Sequence, residues 1–353
     1  MELLQKTLKA IHAPEGPTRV LARERLSQLT MPHWALGRLM DLAEDLAAIT
    51  GSLQPIVARK VVVVMAADHG VTREGVSQYP SEVTPQMVHN FVRGGAGINA
   101  LAELAGAKVV VVDLGVAGDL GSLATEGQII DKKIRLGAAN MAQGPAMSRQ
   151  EAVAALESGI TIAEELSDAY DLFATGDMGI GNTTASAAIL SAMTGCAVEL
   201  ATGRGTGIDD ARLLHKIEVI KKALKINRPG PSDPIDVLAK VGGLEIGGLA
   251  GFILGCAARK KPVIVDGFIS SAAALIAQGL SPASTAYMIA GHCSAEPGHK
   301  AMLAKLDKKA LLDLDMRLGE GTGATLAMNL VEAAQRILTR VATFAEAAVS
   351  GPA

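Results

Sequence analysis

The stretches KVVVVMAAD (60–68) and AKVVVVDLG (107–115) decide the fold. Both are apolar and β-branched at successive positions, which is typical of central strands in a parallel sheet that helices cover on both faces. Each is followed by an Ala- and Leu-rich helical pattern. Three more runs repeat the arrangement: DLFATGD (171–177), KPVIVDGF (261–268) and TAYMIAGH (285–292). The alternation predicts an α/β fold with a parallel, Rossmann-like sheet and covering helices.

The two ends of the chain differ from this pattern. Residues 1–55 contain three helical stretches and no strand, and residues 323–353 begin with a long amphipathic helix. We expect these segments to pack together as a small helical domain. Residues 56–322 would then form the large α/β domain, with ligands bound beyond the carboxyl ends of its strands.

Composition narrows the class of protein. The chain has 353 residues, 49% of them hydrophobic, and a net charge of −3. No long basic run predicts a nucleic-acid or membrane-surface partner, and neither a signal peptide nor a membrane-spanning run is expected. Three widely spaced cysteines, Cys196, Cys256 and Cys293, favour a reducing compartment over disulfides. Together these features predict a cytoplasmic, enzyme-like globular protein.

Four glycine-rich segments lie at expected strand–helix junctions: TGDMGIGNTT (175–184), TGRGTGIDDA (202–211), VGGLEIGGLAG (241–251) and DMRLGEGTGAT (315–325). Glycine lets backbone N–H groups approach a phosphate closely, and a helix N-terminus favours an anion. A single such segment is explained equally well as a tight turn without a ligand. Their recurrence favours a site for a phosphorylated small molecule.

Glu320 is the first candidate for chemistry because it lies between two glycines before an apolar helix. Partial desolvation would raise its pKa towards that of a useful general base. On its own, the residue is more simply explained as a carboxylate favoured by the helix dipole. Asp177, Asn182 and Thr183 follow the strand 171–176, where they could cap a helix or contact a ligand.

Two cations lie near the glycine loops, Arg204 and Lys216. The other lysines of the Lys216 helix resemble a solvated face. The segment GHCSAEPGHK (291–300) fits no common zinc spacing, so no metal is expected. Neither GxxxxGK[ST] nor GxGxxG occurs, which argues against a Walker-type NTPase and gives little support to a dinucleotide enzyme. No cofactor is expected.

Taken together, the segments resemble the nicotinate-nucleotide–dimethylbenzimidazole phosphoribosyltransferase family of cobalamin biosynthesis. The resemblance runs in order over about residues 60–330. The matching blocks are ADHGVTREGVSQYPSEVTPQMVHNFVRGGAGINALA (67–102), DLGVAGD (113–119), TGDMGIGNTTASAAI (175–189), TGRGTGIDD (202–210), GGLEIGGLAG (242–251), PVIVDGFISSAAAL (262–275), GHCSAEPGHK (291–300) and LDMRLGEGTGATLAM (314–328).

The resemblance implies transfer of ribose 5-phosphate from nicotinate mononucleotide to 5,6-dimethylbenzimidazole, which gives α-ribazole 5′-phosphate and nicotinate. Glu320 would be the general base. Asp177 would be a second catalytic carboxylate, at a position where many family members carry Glu. Family members are homodimers with the site between the large and small domains, so a homodimer is expected.

The remaining expected contacts fall into two groups. The phosphoribosyl group would bind at Gly179, Gly181, Asn182, Thr183, Gly203, Arg204, Gly205, Thr206 and Lys216. The base would bind at Ser77, Tyr79, Pro80, Gln86, Leu318 and Gly319. With only nine aromatic residues in the chain (one Trp, three Tyr and five Phe), aliphatic and Met side chains are expected to hold the base.

Two alternatives remain at this point. The first is a phosphoribosyltransferase that uses another azole or a purine-like base. The second is a non-catalytic protein that binds a phosphoribosyl ligand, and such a protein would release no nicotinate with any base.

Overall fold

The computed structural model describes residues 1–14 and 16–351. Its sheet has six parallel strands in the order β3-β2-β1-β4-β5-β6. The strands are β1 (Lys60–Ala67), β2 (Ala107–Gly115), β3 (Ile130–Asp131), β4 (Leu172–Met178), β5 (Val263–Val265) and β6 (Met288–Ala290). The α/β prediction and all five predicted strands are confirmed. The sequence pattern does not predict β3, because this edge strand has only two residues.

Helices separate the strands and cover both faces of the sheet. They are α1 (Glu2–Ala10), α2 (Gly16–Ser27), α3 (Arg38–Thr50), α4 (Val83–Arg93), α5 (Gly97–Ala105), α6 (Gly121–Thr125), α7 (Arg149–Leu166), α8 (Asn182–Thr194), α9 (Val198–Ala201), α10 (Asp210–Asn227), α11 (Pro234–Val241), α12 (Leu244–Ala258), α13 (Phe268–Leu280), α14 (His299–Lys305) and α15 (Thr322–Arg340). Short 3₁₀ helices span Gly70–Glu74 and Pro282–Tyr287.

The alternation of side chains along β1 explains why its run is apolar throughout. Val61, Val63 and Met65 belong to one hydrophobic core, which also contains residues of α7, α8, α12 and α13. Val62 and Val64 belong to a second core, which contains residues of α3, α5 and α15. Because successive side chains point to opposite faces, both sets of β1 positions must be apolar.

The strand order indicates where on the sheet a ligand is expected to bind. From β1 the sheet grows through β2 and β3 in one direction, and through β4, β5 and β6 in the other. The crevice between β1 and β4, beyond their carboxyl ends, is therefore the point where the order reverses. In open α/β sheets, ligands bind at such a point.

The glycines of the segment 241–251 contribute mainly to packing, which corrects their interpretation as a ligand loop. A Cβ at Gly248 would lie 2.1 Å from Leu114 Cδ1, and one at Gly251 would lie 1.9 Å from the carbonyl oxygen of Leu156 in α7. Opposite them, a Cβ at Gly159 would lie 1.8 Å from the carbonyl oxygen of Gly248. These glycines let α12 pack directly on α7 and on the sheet.

The terminal segments make contact on one side of the molecule. Arg25 Nε, in α2, donates to the carbonyl oxygen of Leu338 in α15 at 2.9 Å, and its guanidinium pairs with Glu346 at 2.8 Å. By contrast, α1 packs on the other side of the sheet, where the Leu4 N–H donates to Glu157 of α7. Division of the chain into a large and a small domain stays a prediction. No helix in the described part of the chain is long and apolar enough to cross a membrane.

Candidate active site

A cavity of about 540 Å³ opens beyond the carboxyl ends of the strands. Its wall includes Ser77 after β1, Asp177 in β4, Gly267 after β5, and His292 after β6. Glu320, from the segment before α15, lies in the same wall. Residues distant in the chain therefore meet at the edge that the strand order indicates.

Glu320 occupies an unusual backbone turn. The turn formed by residues 319–321, called here the Glu320 turn, has φ values of +82°, +61° and +90°. Glycine adopts such values easily, whereas a Glu rarely does, so the two glycines accommodate the turn and Glu320 bears the strain. A Cβ at Gly176 of β4 would lie 2.4 Å from the carbonyl oxygen of Glu320, so only glycine allows this approach.

Glu320 is 5% exposed, and its carboxylate has one backbone partner. The Ile98 N–H, in the first turn of α5, donates to Glu320 Oε2 at 3.2 Å. In the described residues no donor contacts Oε1, so this oxygen is available to a ligand. Burial raises the pKa of Glu320; the Ile98 N–H opposes this effect and the nearby Asp266 reinforces it. A raised pKa suits a residue that must accept a proton.

Asp177 lies directly beside the Glu320 turn. A Cβ at Gly319 would lie 2.9 Å from Asp177 Oδ2, and Asn182 Nδ2 donates to the same oxygen at 3.1 Å. Burial and the carboxylates of Asp266 and Glu245 hold the pKa of Asp177 well above its usual range. Its Oδ1 is buried without a hydrogen-bond partner. The predicted pair of carboxylates is therefore brought together.

Near Asp177 lies a buried His–Glu pair that the sequence does not predict. His69 Nε2 is 2.6 Å from Glu245 Oε1, and both side chains are almost fully buried. Burial disfavours the imidazolium, but the Glu245 and Asp68 carboxylates together outweigh that effect and raise the pKa of His69. Glu245 is thus paired with His69 through Oε1, while in the described residues its Oε2 has no hydrogen-bond partner.

The N-terminus of α8 supplies donors at another part of the cavity. Gly179, Gly181, Asn182 and Thr183 all line it. Gly181 has φ +98° and precedes the first helical residue. In the described chain, the backbone N–H groups of Gly181 and Thr183 have no protein acceptor. Two unpaired N–H groups at a helix N-terminus form a suitable anion site.

Lys216 lies behind this part of the wall rather than in it. Its ammonium group donates to Thr183 Oγ1 at 2.9 Å and to the carbonyl oxygen of Gly203 at 3.2 Å. The side chain is 1% exposed. Burial lowers the pKa of Lys216 to about 8, although the Glu296 carboxylate opposes this shift. An anion close to Thr183 would therefore favour the charged form.

The segment 203–206 divides between two environments. Gly205 and Thr206 line the cavity, and Thr206 Oγ1 accepts the Gln78 N–H at 2.9 Å. The Gly205 N–H is already bonded to Glu296 Oε1 at 3.0 Å. Gly203 does not line the cavity, and neither does Arg204, whose guanidinium bonds to the carbonyl oxygen of Ile208 and pairs with Asp210.

The predicted base wall is also only partly assembled. Ser77, Tyr79, Leu318 and Gly319 line the cavity, with Tyr79 and Leu318 exposed at its mouth. Pro80 and Gln86 do not line it, and both are exposed. Instead, α4 contributes Val83 and Met87, which are one helical turn apart on a single face.

Several lining residues were not predicted as site residues. The additional ones are Val76, Val83, Met87, Met178, Ile180, Gly267, Phe268, Ile269, His292, Ser294, Glu296 and Arg317. Arg317 is a cation at the cavity, and its Nη1 donates to the carbonyl oxygen of Gly205 at 2.8 Å. Most of these residues lie in the segments that carry the family resemblance, which was the available signal.

His292 and His299 are not arranged as metal ligands. His299 bonds to the Ser271 hydroxyl and accepts the Ser294 N–H, and burial lowers its pKa to about 3. His292 Nε2 is 3.7 Å from Asp266 Oδ1. Within residues 1–14 and 16–351, no group of three or more His, Cys, Asp or Glu side chains is placed to hold a metal ion.

Comparisons with known proteins agree on one family. A family described as Phosphoribosyltransferase matches residues 11–349. A protein of Syntrophotalea carbinolica named nicotinate-nucleotide–dimethylbenzimidazole phosphoribosyltransferase is 60% identical over 350 residues, 99% of each chain. A protein of the same name from Desulfotalea psychrophila is 55% identical over 353 residues, which are 100% of this chain and 99% of the relative.

Solved structures give the same result. A crystal structure described as CobT from Thermus thermophilus superposes with a TM-score of 0.91 and 47% sequence identity, covering 95% of this chain and 100% of the other. A second structure from the same organism, described as a nicotinate-nucleotide–dimethylbenzimidazole phosphoribosyltransferase, has a TM-score of 0.90. The chain therefore belongs to the nicotinate-nucleotide–dimethylbenzimidazole phosphoribosyltransferase family.

Proposed function

We propose that this enzyme transfers ribose 5-phosphate from nicotinate mononucleotide to 5,6-dimethylbenzimidazole or a related azole. The products are α-ribazole 5′-phosphate, for the lower ligand of cobalamin, and nicotinate. One observation carries the proposal: a single cavity joins a buried carboxylate with a raised pKa, Glu320, to the unpaired N–H groups of a helix N-terminus at Gly181 and Thr183.

The chemistry requires only one proton acceptor. Glu320 takes the N–H proton of the azole while the other ring nitrogen forms a bond to C1′. The bond between C1′ and the pyridinium nitrogen breaks, and its electron pair neutralises the ring, so the leaving group needs no general acid. Attack from the face opposite nicotinate converts the β-nucleotide into an α-product. This differs from glycoside hydrolysis, in which two carboxyl groups share acid and base roles.

The ends of the cavity suit the two substrates. We propose that the 5′-phosphate binds the N–H groups of Gly181 and Thr183, with Lys216 contributing charge through Thr183. The base would lie between Leu318, on one side, and the α4 residues Val83 and Met87. These side chains are aliphatic or Met, which fits an apolar benzimidazole ring. The remote phosphate would supply binding energy that orients C1′.

Asp177 has a supporting role in this scheme. Its pKa is held well above the usual range, so it is difficult to ionise beside Glu320. We propose that it positions the ribose or the glycine loop and does not accept the azole proton. We also propose that the protein works as a cytoplasmic homodimer, with the large domain at residues 56–322 and the small domain formed by residues 1–55 and 323–353.

The deciding experiment is incubation with nicotinate mononucleotide and a panel of benzimidazoles, imidazoles and purines. Nicotinate release and the mass of the ribosylated product are measured together. We expect 5,6-dimethylbenzimidazole to give α-ribazole 5′-phosphate and an equal amount of nicotinate. Preference for a purine would indicate another phosphoribosyltransferase, and absence of nicotinate release with every base would indicate a binding protein.

A further inference from the structure

The side chain of Asp266 connects the sheet to the segment that carries Glu320. Asp266 directly follows β5 and is 1% exposed. Its Oδ1 accepts the Ala324 N–H, in the first turn of α15, at 2.8 Å. The nearby N–H groups of Gly321 and Gly323 oppose the rise in the pKa of Asp266 that burial causes, while in the described residues its Oδ2 has no hydrogen-bond partner. A buried carboxylate thus binds the backbone immediately after Glu320, although Asp266 does not itself line the cavity.

The Glu320 turn needs such an attachment because its conformation is unfavourable. Three successive residues have positive φ, including a Glu at +61°. A strained backbone of this kind persists only where the surrounding structure determines it. Gly176 provides the close approach of β4, and the hydrogen bond that the Ala324 N–H donates to Asp266 ties the start of α15 to the end of β5.

Asp266 also acts on Glu320 through its charge. It reinforces the raised pKa of Glu320, after the larger effect of burial. Asp177 on β4 interacts electrostatically with both Asp266 and Glu320, and His292 Nε2 is 3.7 Å from Asp266 Oδ1. Of these groups, Asp266 alone is bonded to the backbone that follows Glu320.

We propose that Asp266 is a positioning residue that fixes the Glu320 turn and places its own carboxylate close to this turn. This inference rests on the proposed function, in which Glu320 accepts the azole proton. It assigns two separable effects to one side chain: a hydrogen bond that holds the turn, and a negative charge that makes the Glu320 carboxylate more basic.

Two variants separate these effects. Asp266→Asn retains an oxygen that can accept the Ala324 N–H but removes the charge, whereas Asp266→Ala removes both. Asp113→Asn is the control, because Asp113 is a buried carboxylate at the end of β2 whose Oδ1 accepts the N–H groups of Gly115 and Val116 and whose Oδ2 pairs with Lys133 at 3.1 Å. Asp113 does not line the cavity. The readouts are kcat and KM for each substrate across pH, and amide hydrogen exchange at residues 321–324.

The two variants should change different quantities. Asp266→Asn should keep kcat within about tenfold of wild type and move the acid limb of the pH profile to lower pH, because loss of a nearby negative charge lowers the pKa of Glu320. Asp266→Ala should lower kcat by about 10²-fold or more, leave the KM for nicotinate mononucleotide within about threefold, and speed exchange at residues 321–324. Asp113→Asn should leave the acid limb unchanged.

The proposal is overturned if the Asp266→Asn acid limb coincides with that of wild type, or if exchange at residues 321–324 is unchanged in Asp266→Ala. If Asp266→Ala does not fold, the pH profile of Asp266→Asn still decides. Failure of the proposed function is recognised separately, since wild type would then release no nicotinate with any base. In that case the exchange measurement alone supports or rejects the attachment of the turn.

Discussion

The N–H of Ile98 donates to Glu320 Oε2 at 3.2 Å, although the two residues are 222 positions apart in the chain. Ile98 lies in the first turn of α5, where backbone N–H groups have no intrahelical acceptor and favour a negative charge. The same carboxylate is buried and close to Asp266, which both disfavour its charge. The pKa of Glu320 is therefore raised by burial and by Asp266, and lowered by the Ile98 N–H.

Glu320→Gln should lower kcat by about 10²–10⁴-fold with little change in nucleotide binding, because glutamine keeps the shape but cannot accept the azole proton. Steady-state kinetics with nicotinate mononucleotide and 5,6-dimethylbenzimidazole measures this effect. A benzimidazole that is already largely anionic in solution is the control, and it should lose much less activity. Near-normal turnover of the variant with the neutral base would assign the proton to another acceptor.

Asp177→Asn should cost less, about tenfold in kcat, if Asp177 positions the ribose or the glycine loop. Asparagine can still pair with the Asn182 side chain, which bonds to Asp177 Oδ2 in the wild type. The two variants should be assayed side by side. If Asp177→Asn abolishes turnover while Glu320→Gln does not, the roles of the two carboxylates are the reverse of those proposed.

Lys216→Met should raise the KM for nicotinate mononucleotide by about tenfold or more and leave the KM for the base nearly unchanged, because a buried charge next to Thr183 is lost. Lys222→Met, on the exposed face of the same helix, is the matched control. Wild type should bind the nucleotide more tightly than its dephosphorylated nucleoside, and the variant should lose this preference. Equal affinity of wild type for both ligands would reject the phosphate assignment.

The pH dependence of kcat/KM and of nucleotide affinity should reflect the ionisation of Glu320 and of Lys216. Because burial raises the pKa of Glu320, kcat/KM should fall on the acid side at a pH above the ordinary Glu value of about 4.3. Because the pKa of Lys216 is lowered to about 8, affinity for the nucleotide should weaken above about pH 8 as the ammonium loses its proton. Nucleotide binding by Lys216→Met that still weakens over this alkaline range would exclude Lys216 as the titrating group.

Gly251→Ala should destabilise the fold although alanine is the better helix former. A Cβ there would lie 1.9 Å from the carbonyl oxygen of Leu156, so α12 and α7 must separate, at a cost of about 1–3 kcal/mol. Thermal unfolding compares it with Gly144→Ala, where no atom lies within 4 Å of the added Cβ. A melting temperature equal to that of the control would show that α12 and α7 accommodate the added methyl group at little cost in stability.

Some parts of this architecture follow from local sequence and others do not. The runs 60–68 and 107–115 predict buried parallel strands, because a strand covered on both faces needs apolar side chains at every position. The position of Glu320 is also predictable, since two flanking glycines permit its turn. Such features depend on a few adjacent residues.

The cavity wall depends on longer-range geometry. Gln86 was predicted to contact the base, but Met87 lines the cavity, because one residue along a helix rotates the side chain by about 100°. The glycines of 241–251 resemble a ligand loop but pack α12 on α7, and no local signal separates these uses. His292 and Glu296 follow β6, two strands from β4, so their place in the wall depends on the strand order of the whole sheet.

The helices that would contact opposite ends of the proposed substrate pack in different hydrophobic cores. Helix α8, whose N-terminus would bind the phosphate, packs in the core on one face of the sheet, while α15, which follows Glu320, packs in the core on the other face. A ligand of fixed length that contacts both ends therefore requires a fixed distance between the helices on the two faces of the sheet. A substitution in either core that shifts α8 relative to α15 would alter the distance from Glu320 to C1′, although the substituted residue does not line the cavity.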